Sequence, residues 1–416
     1  MIKRRVISVF EHERLFITGY NGCINGLTEK ELNLLYTYND RNNNKYFTGI
    51  RNGVKFTSYV GVIQIGSLII EILPKADNTK DHTEENYTKW RSVLLNMLGV
   101  CKRITVNSET EALLDKRENS ILDLYFQLFL DEVKELLHKG LIKQYIRRSG
   151  NIKALKGRLL FSKNIQHNLI HQERFYTEHQ VYSYDHIYNQ ILYRAVNILS
   201  NIVTNSSLTN QINRIKLDFP EVTKLEVKAT HFEKLVWGRK SEPYRRAIEI
   251  ARLIILNYSP SLKSKDEQML ALLFNMNQLW EEYIYHLLLR VKQTKYQISY
   301  QNRKRFWENK TVRPDIVIKE LSNNDNYVID TKWKVIESTN PADDDLKQMF
   351  VYNIYWDASK SMMLYPQVMK QKESFGVFHK GRTEANSCKL GFLNIFDNEN
   401  KLNLEAGKEV LSKLNL

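Results

Sequence analysis

Two apolar segments in the last third of the chain carry charged residues where buried strands are normally uncharged. Residues 312–318 and 326–334 are both rich in β-branched residues, which is typical of strands. A run of serine, asparagine and aspartate separates them, and this turn signal predicts a hairpin. Because buried strands rarely tolerate ionised groups without partners, we expect Asp315, Asp330 and Lys332 to meet at one charged site.

These three residues form a Pro-Asp…Asp-Thr-Lys pattern whose chemistry suits phosphate hydrolysis. Hard oxygen ligands from Asp315 and Asp330 suit a Mg²⁺ ion that keeps several waters, and the backbone carbonyl of Thr331 is a further expected ligand. Lys332 is expected to position or polarise an attacking water and to offset charge on the phosphate. The pattern resembles that of the restriction-endonuclease-like, or PD-(D/E)xK, nucleases. Taken alone, it also fits a structural ion pair.

The segments around this pattern follow the order of that nuclease core. Residues 270–289 are predicted as a helix and contain Glu281 and Glu282. After the two strands come a predicted helix at 342–355 and a predicted strand at 361–365. This matches the α-β-β-β-α-β order of restriction-endonuclease-like domains, in which a glutamate on the first helix commonly completes the metal site.

A glutamine and a tyrosine on the second helix extend the candidate site. Gln348 and Tyr352 are four residues apart, so they lie one turn apart on one face of a helix. The pair resembles the Gln-x-x-x-Tyr accessory motif of RecB-type nucleases, where it steadies the active site and the DNA. We therefore add both residues to the candidate catalytic set.

The preceding two thirds of the chain divide into a β-rich part and a helical part. Residues 1–76 are predicted to form a small β-barrel or sandwich, with an Asn52-Gly53 hairpin signal. Helical periodicity then takes over, with helices predicted at 120–137, 185–203 and 244–256. The predicted fold is an α+β multidomain chain: an N-terminal β-rich domain, a central helical region and a C-terminal α/β nuclease domain. Its predicted boundaries are 1–76, 77–260 and 261–416.

Positive charge is concentrated outside the predicted nuclease domain. The net charge is +14, of which residues 1–260 carry +11 and residues 261–416 carry +3. Residues 136–172 contain eight basic and no acidic side chains. Such a stretch forms either a solvated surface or a site for phosphates or an acidic protein, and the sequence does not choose between them. The basic residues are Lys139, Lys143, Arg147, Arg148, Lys153, Lys156, Arg158 and Lys163.

Several blocks in the same order resemble the McrC family, the nuclease subunits of McrBC methylcytosine-specific restriction systems. Residues 275–281 are similar to that family's "Mn-x-LFE" helix, with Trp280 where phenylalanine is usual, and this alignment favours Glu281 over Glu282. The resemblance covers roughly residues 55–370. Its other blocks lie at residues 61–75, 138–145, 155–158, 184–192, 345–352 and 363–366.

The resemblance implies a partner as well as an activity. McrC-like proteins work with McrB, a hexameric AAA+ GTPase that reads modified cytosine in double-stranded DNA. Their N-terminal part docks on that ring and stimulates its GTPase, and their C-terminal domain cuts DNA. By this likeness residues 77–260 would bind the GTPase, with the basic stretch facing its pore or nucleotide sites. No GxxxxGK[ST] phosphate loop occurs in the chain, which agrees with GTP being bound by the partner.

Two other functions stay open at this stage. One is a stand-alone DNA exonuclease of the RecB or Cas4 type, although such enzymes often hold an iron–sulfur cluster through four cysteines, whereas this chain has only Cys23, Cys101 and Cys388. The other is a non-catalytic GTPase activator that keeps the nuclease core as a scaffold. Scarce cysteine and the lack of a signal-peptide or membrane-span pattern predict a cytoplasmic protein.

Overall fold

The computed structural model divides the chain into two compact units. Unit 1 combines Met1–Ile121 with Leu273–Leu416, and unit 2 is Leu122–Leu272. The predicted mixed α and β multidomain class is thus confirmed, while the three-domain boundaries stay a prediction. The structure describes residues 5–76, 82–103, 120–259, 268–291, 295–336, 341–367, 373–379, 386–397 and 400–416.

The N-terminal part of unit 1 holds two sheets. Strand β1 runs parallel to β6, and β5 pairs antiparallel with β6. A second sheet has the order β2-β4-β3, and the predicted hairpin turn at Asn52 and Gly53 joins β3 to β4. The elements are β1 (Arg5–Phe10), β2 (Arg14–Phe16), α1 (Glu29–Arg41), β3 (Phe47–Ile50), β4 (Gly53–Phe56), β5 (Tyr59–Ile65), β6 (Leu68–Leu73) and α2 (Glu84–Val100).

Helix α1 was not part of the predicted β-rich domain. It begins after Thr28, whose hydroxyl accepts a hydrogen bond from the backbone of Glu31 while the Glu31 carboxylate accepts one from the backbone of Thr28. This capping box is a sequence-level helix start. The prediction of a β-rich domain over residues 1–76 did not include this helix.

Unit 2 is built mainly from helices, as predicted. Its three predicted helices are confirmed as α3, α5 and α8, and Gly140 follows α3 with a φ of +87°, the left-handed conformation that ends many helices. The elements are α3 (Ile121–Lys139), β7 (Gln144–Ile152), β8 (Arg158–Leu159), α4 (Phe161–Asn168), β9 (Phe175–Ser183), α5 (Ile187–Ile202), α6 (Ser206–Asp218), α7 (Ala229–Glu233), a 3₁₀ turn (Glu242–Tyr244), α8 (Arg245–Leu256), β10 (Tyr258–Ser259) and the first residues of β11 (Met269–Asn275).

The most basic segment of unit 2 is not helical. Strands β7, β9 and β8 form an antiparallel sheet in that order, which the prediction of a helical central region did not include. Strand β7 is largely exposed and contains no buried residue. Its sequence is polar and lacks the apolar alternation that marks a half-buried strand.

The C-terminal part of unit 1 contains a six-stranded sheet in the order β12-β15-β16-β17-β19-β18. The predicted hairpin is confirmed as β15 and β16, which pair antiparallel, and β16 then pairs parallel with β17. The elements are α9 (Met276–Arg290), β12 (Tyr296–Tyr300), β13 (Lys304–Trp307), β14 (Lys310–Val312), β15 (Ile316–Glu320), β16 (Asn326–Thr331), α10 (Asp343–Trp356), β17 (Ala358–Pro366), β18 (Phe375–Val377), β19 (Ser387–Leu393) and α11 (Ala406–Lys413).

One predicted boundary in this part was wrong. The helix predicted over 270–289 begins only at Met276, because the preceding apolar residues form β11. The side chain of Asn275 caps the helix by accepting a hydrogen bond from the backbone N–H of Gln278 at 3.2 Å. A continuous apolar run fits a buried strand as well as a buried helix, so only the cap marks the true start.

Helix α10 packs on the sheet through a buried face. Met349, Tyr352 and Trp356 form one hydrophobic cluster with Val317 of β15 and Val328 of β16. This packing fixes the rotation of α10 over the ends of the two strands that carry the candidate aspartates. Among the described residues, no helix is both long and apolar enough to cross a membrane.

Candidate active site

All seven predicted catalytic and metal-binding residues line one cleft in unit 1. The cleft has a volume of about 730 Å³. Strands β15 and β16 supply its floor, and helices α9 and α10 supply its walls. The seven residues are Glu281, Asp315, Asp330, Thr331, Lys332, Gln348 and Tyr352.

Lys332 pairs with two acidic side chains at the cleft. Its Nζ lies 2.8 Å from Oδ2 of Asp330 and 3.3 Å from Oδ1 of Asp345, and it donates a hydrogen bond to Oε1 of Gln348 at 3.3 Å. Burial alone would lower the pKa of Lys332, but the two carboxylates outweigh it and raise that pKa above its ordinary value. Lys332 is therefore a fixed positive charge at neutral pH.

Asp315 is held by the strand that carries the second aspartate. Its Oδ2 accepts hydrogen bonds from the backbone N–H of Thr331 at 2.6 Å and from the Thr331 hydroxyl at 2.9 Å. Burial raises the pKa of Asp315 to about 8, with further contributions from the charges of Asp330 and Glu281. Burial also raises the pKa of Asp330, against the opposing charge of Lys332. Burial and neighbouring carboxylates thus favour the protonated form of Asp315 in the cleft.

Two neighbouring glutamates on α9 have different surroundings. Glu281 lines the cleft, and its Oε2 accepts a hydrogen bond from Gln301 at 2.9 Å. Burial raises the pKa of Glu281, and the Gln301 hydrogen bond opposes that shift. Glu282 instead makes a two-pronged ion pair with Arg103, at 2.7 and 3.0 Å. The structure places Glu281, rather than Glu282, beside the aspartates.

Gln348 and Tyr352 link the two sides of the cleft. The Gln348 side chain donates from Nε2 to the Tyr352 hydroxyl at 2.7 Å and to Oδ1 of Asp330 at 3.4 Å. The Tyr352 hydroxyl donates in turn to the backbone carbonyl of Arg313 at 3.0 Å. The helical pair predicted from its spacing therefore connects α10 to both aspartate-bearing strands.

One charged residue in this network was not assigned a role from the sequence. Asp345 bridges Lys332 and Lys334, the latter at 3.0 Å, with a side chain only 17% exposed. In the sequence it stands in a run of three aspartates at a helix start, where acidic residues are expected for their interaction with the helix dipole. Its spacing of three residues before Gln348, on the same face of a helix, is the signal that could have identified it.

The arrangement suits a cation that brings its own water. Within the part of the chain that the structure describes, no group of three or more His, Cys, Asp and Glu side chains forms a metal site. Mg²⁺, however, is commonly held by one or two carboxylates, with waters and substrate phosphates completing its coordination. The charge of Asp330 contributes to the raised pKa of Asp315, and a divalent cation relieves such repulsion between carboxylates. The donor set therefore fits Mg²⁺.

The predicted basic surface lies within unit 2. Lys143 stacks over the rings of Tyr182 and Tyr184, and Lys139 forms an ion pair with Glu135, so these two are partly engaged within their own unit. Lys163 on α4 lies over the ring of Tyr176, 5.4 Å from its centroid. The other five basic side chains are exposed on β7, on β8 and in the loop between them. They are Arg147, Arg148, Lys153, Lys156 and Arg158.

Comparison with known proteins places this site in a family. A family model described as "McrBC 5-methylcytosine restriction system component" matches residues 54–366. The chain belongs to this family. The match includes the two aspartates, the lysine and the Gln-x-x-x-Tyr pair, and it confirms the McrC resemblance predicted from the sequence.

Individual members of McrBC systems are distant in sequence but similar in fold. The Type IV methyl-directed restriction enzyme EcoKMcrBC of Escherichia coli (strain K12) is 23% identical over 143 residues, or 34% of this chain and 41% of that protein. A chain of the Thermococcus gammatolerans assembly of McrB AAA+ hexamers with bound McrC matches 99% of both chains at 20% identity, with a TM-score of 0.70. A chain of the T. gammatolerans McrBC complex matches 68% of this chain and 87% of its own length at 20% identity, with a TM-score of 0.50.

Proposed function

We propose that this chain is the nuclease subunit of a McrBC-type restriction complex, a Mg²⁺-dependent endonuclease that cuts double-stranded DNA with modified cytosine. One observation carries the proposal: Asp315, Asp330 and Lys332 share one cleft with Glu281. The element order α9, β12, β15, β16, α10 and β17 supports a restriction-endonuclease-like core, with β13 and β14 as an insertion. Membership of the McrBC family supports the same assignment.

Each residue of the cleft has a defined chemical task in this proposal. Asp315 and Asp330 hold the cation, with Glu281 and the carbonyl of Thr331 as further ligands. When bound, Mg²⁺ polarises the phosphate and lowers the pKa of a coordinated water. Lys332 stabilises the charge that develops on the phosphate, and its position is set by Asp330 and Gln348.

Tyr352 acts through Gln348 rather than on the substrate. Its hydroxyl anchors the Gln348 amide and is itself anchored on the Arg313 carbonyl. The amide then keeps its oxygen toward Lys332 and its nitrogen toward Asp330. Gln348 and Tyr352 are thus positioning residues that hold the charged groups for in-line attack on the phosphodiester.

The partner in this proposal is an McrB-like AAA+ GTPase hexamer that binds GTP and selects the modified cytosine. This chain shares its fold with a chain in each of two T. gammatolerans McrBC assemblies, one of which consists of McrB AAA+ hexamers with bound McrC. The sequence contains no GxxxxGK[ST] motif. The basic β-sheet surface of unit 2 is the proposed contact with the ring, and the complex is proposed to act in the cytoplasm.

A closed circular plasmid with modified cytosine tests the proposal against both alternatives. We expect linearisation only when this chain, its GTPase partner, GTP and Mg²⁺ are all present, and none with EDTA or unmodified plasmid. An exonuclease would instead degrade linear DNA without the partner and leave the closed circle intact. Stimulation of the partner's GTPase with no cleavage under any condition would support the scaffold alternative and overturn the proposal.

A further inference from the structure

A short hairpin stands outside the six-stranded sheet at the rim of the cleft. Strands β13 and β14 pair only with each other in a two-stranded sheet, and they are inserted between β12 and β15. Two aromatic side chains on this hairpin face solvent: Phe306 is 52% exposed and Trp307 is 61% exposed. Large aromatic residues in such positions commonly mark a binding surface.

The hairpin is strongly basic within a part of the chain that is nearly neutral. Residues 301–313 contain five basic residues and one glutamate, whereas the whole of 261–416 has a net charge of only +3. All five basic side chains are exposed. Among the residues that the structure describes, no acidic side chain pairs with Arg303, Arg305 or Lys310. This combination of unpaired basic groups and exposed aromatic rings suits a nucleic acid, because phosphates bind the former and bases stack on the latter.

The hairpin is held rigidly against the helix that carries Gln348. Lys304 donates a hydrogen bond from Nζ to the backbone carbonyl of Tyr355 at 2.6 Å and lies 5.0 Å from the ring centroid of Trp356. The ring of Phe306 packs on Tyr355 with centroids 5.9 Å apart. A surface that is ordered before binding loses less conformational entropy when it binds.

The base of the hairpin is continuous with the cleft. Phe306, Thr311 and Arg313 line the same cavity as Asp315. The Arg313 guanidinium donates to Oε1 of Gln301 at 3.3 Å, and the same Gln301 side chain holds Glu281. A polyanion bound along the hairpin would therefore lead directly into the cleft.

We propose that the β13–β14 hairpin is a DNA-binding element of this chain. Arg305 and Lys310 bind phosphates of the strand that enters the cleft, and Trp307 stacks on a base beside the phosphodiester that is cut. This inference rests on the proposed nuclease function and adds the surface that holds its substrate. It places direct DNA contact within residues 261–416, which carry a net charge of only +3.

The test measures DNA binding by the complex of this chain with its GTPase partner, using a fluorescent modified duplex with Ca²⁺ in place of Mg²⁺. Arg305→Ala/Lys310→Ala removes two phosphate contacts. We therefore expect the slope of log affinity against log salt concentration to become shallower by about two. Trp307→Ala should weaken binding by ~10-fold with an unchanged salt dependence. The matched control is Arg51→Ala/Lys55→Ala on the β3–β4 hairpin, for which we expect wild-type binding.

Three results would overturn the inference. Wild-type DNA affinity and salt dependence in the hairpin variants, in a complex that still cuts DNA, would remove the hairpin from the DNA path. Loss of GTPase-partner binding with unchanged DNA affinity would assign the surface to a protein. A wild-type complex that neither binds nor cuts DNA would overturn the proposed function together with this inference. Melting temperatures of all variants show whether an effect comes from misfolding.

Discussion

The carboxyl group of Glu11 accepts a hydrogen bond at 2.6 Å from the indole N–H of Trp333, a residue 322 positions away. Trp333 directly follows Lys332 in the sequence, and its ring lies 5.2 Å from that of Trp280, which directly precedes Glu281. Glu11, directly after β1, therefore contacts the residue next to Lys332, and that residue in turn contacts the residue next to Glu281.

Glu11 should make the stability of the protein depend on pH. Burial raises the pKa of Glu11 to about 7, against opposing hydrogen bonds from Trp333 and the Lys75 backbone. The unfolded chain loses this proton near 4.5, so the folded state is progressively penalised as the pH rises from 4.5 to 7. Glu11→Gln has no such proton to lose. Relative to this variant, we expect the wild-type free energy of unfolding to fall by ~3 kcal/mol across that window.

Urea denaturation of both proteins between pH 4.5 and 8 measures this difference. Nε2 of His12 lies 3.7 Å from Oε2 of Glu11, and the pKa of His12 is itself lowered, chiefly by burial. The comparison is therefore repeated in a His12→Gln background. Parallel stability curves for the wild-type and Glu11→Gln proteins would show that this carboxyl is not the titrating group.

Substitution of Glu281 should reduce activity, whereas substitution of Glu282 should reduce stability. Glu281→Gln keeps the shape of a side chain that lines the cleft but removes its charge, so we expect DNA cleavage to fall by ~100-fold or more. Glu282→Gln weakens the ion pair with Arg103, which should cost about 1 kcal/mol of stability and leave cleavage close to wild type. Cleavage rates and melting temperatures of the two variants check this. The reverse pattern would assign the catalytic glutamate to Glu282.

Cation binding to the cleft should release a proton at neutral pH. Because burial and neighbouring carboxylates raise the pKa of Asp315 to about 8, this group holds a proton at pH 7 that a metal ligand must lose. The apparent affinity for Mg²⁺ or Ca²⁺ should therefore fall by up to ~10-fold per pH unit below 8. Calorimetry in buffers of different ionisation enthalpy measures the proton count. Equal affinity at pH 6.5 and 8 would contradict this.

The candidate site was predictable from sequence because its signals are local. Asp330 and Lys332 are two residues apart at the end of an extended segment, and Gln348 and Tyr352 are one turn apart on one helix, so periodicity puts each pair on one face. The predicted hairpin then brings Asp315 close to Asp330 and Lys332. Each of these steps depends on backbone geometry within about twenty residues.

What sequence reasoning missed depends on distant contacts or on ambiguous patterns. The Glu11–Trp333 hydrogen bond joins positions too far apart for any periodicity to relate them. Strand β11 is a nearly continuous apolar run directly before a helix, and such a run fits a buried strand as well as a buried helix. Strand β7 has no buried residue, so its sequence lacks an alternating apolar pattern. Tertiary contacts, rather than local preference, decide these elements.

Substitution of Asp330 tests whether this residue belongs to a nuclease site. Asp330→Asn keeps the side-chain shape and leaves Lys332 paired with Asp345. The measurement is single-turnover cleavage of a modified-cytosine duplex by the wild-type and variant complexes, each with the GTPase partner, GTP and Mg²⁺. We predict that the variant loses cleavage by at least ~10³-fold and keeps wild-type GTPase stimulation and melting temperature. Cleavage at the wild-type rate by the Asp330→Asn complex would show that Asp330 is not part of a nuclease site.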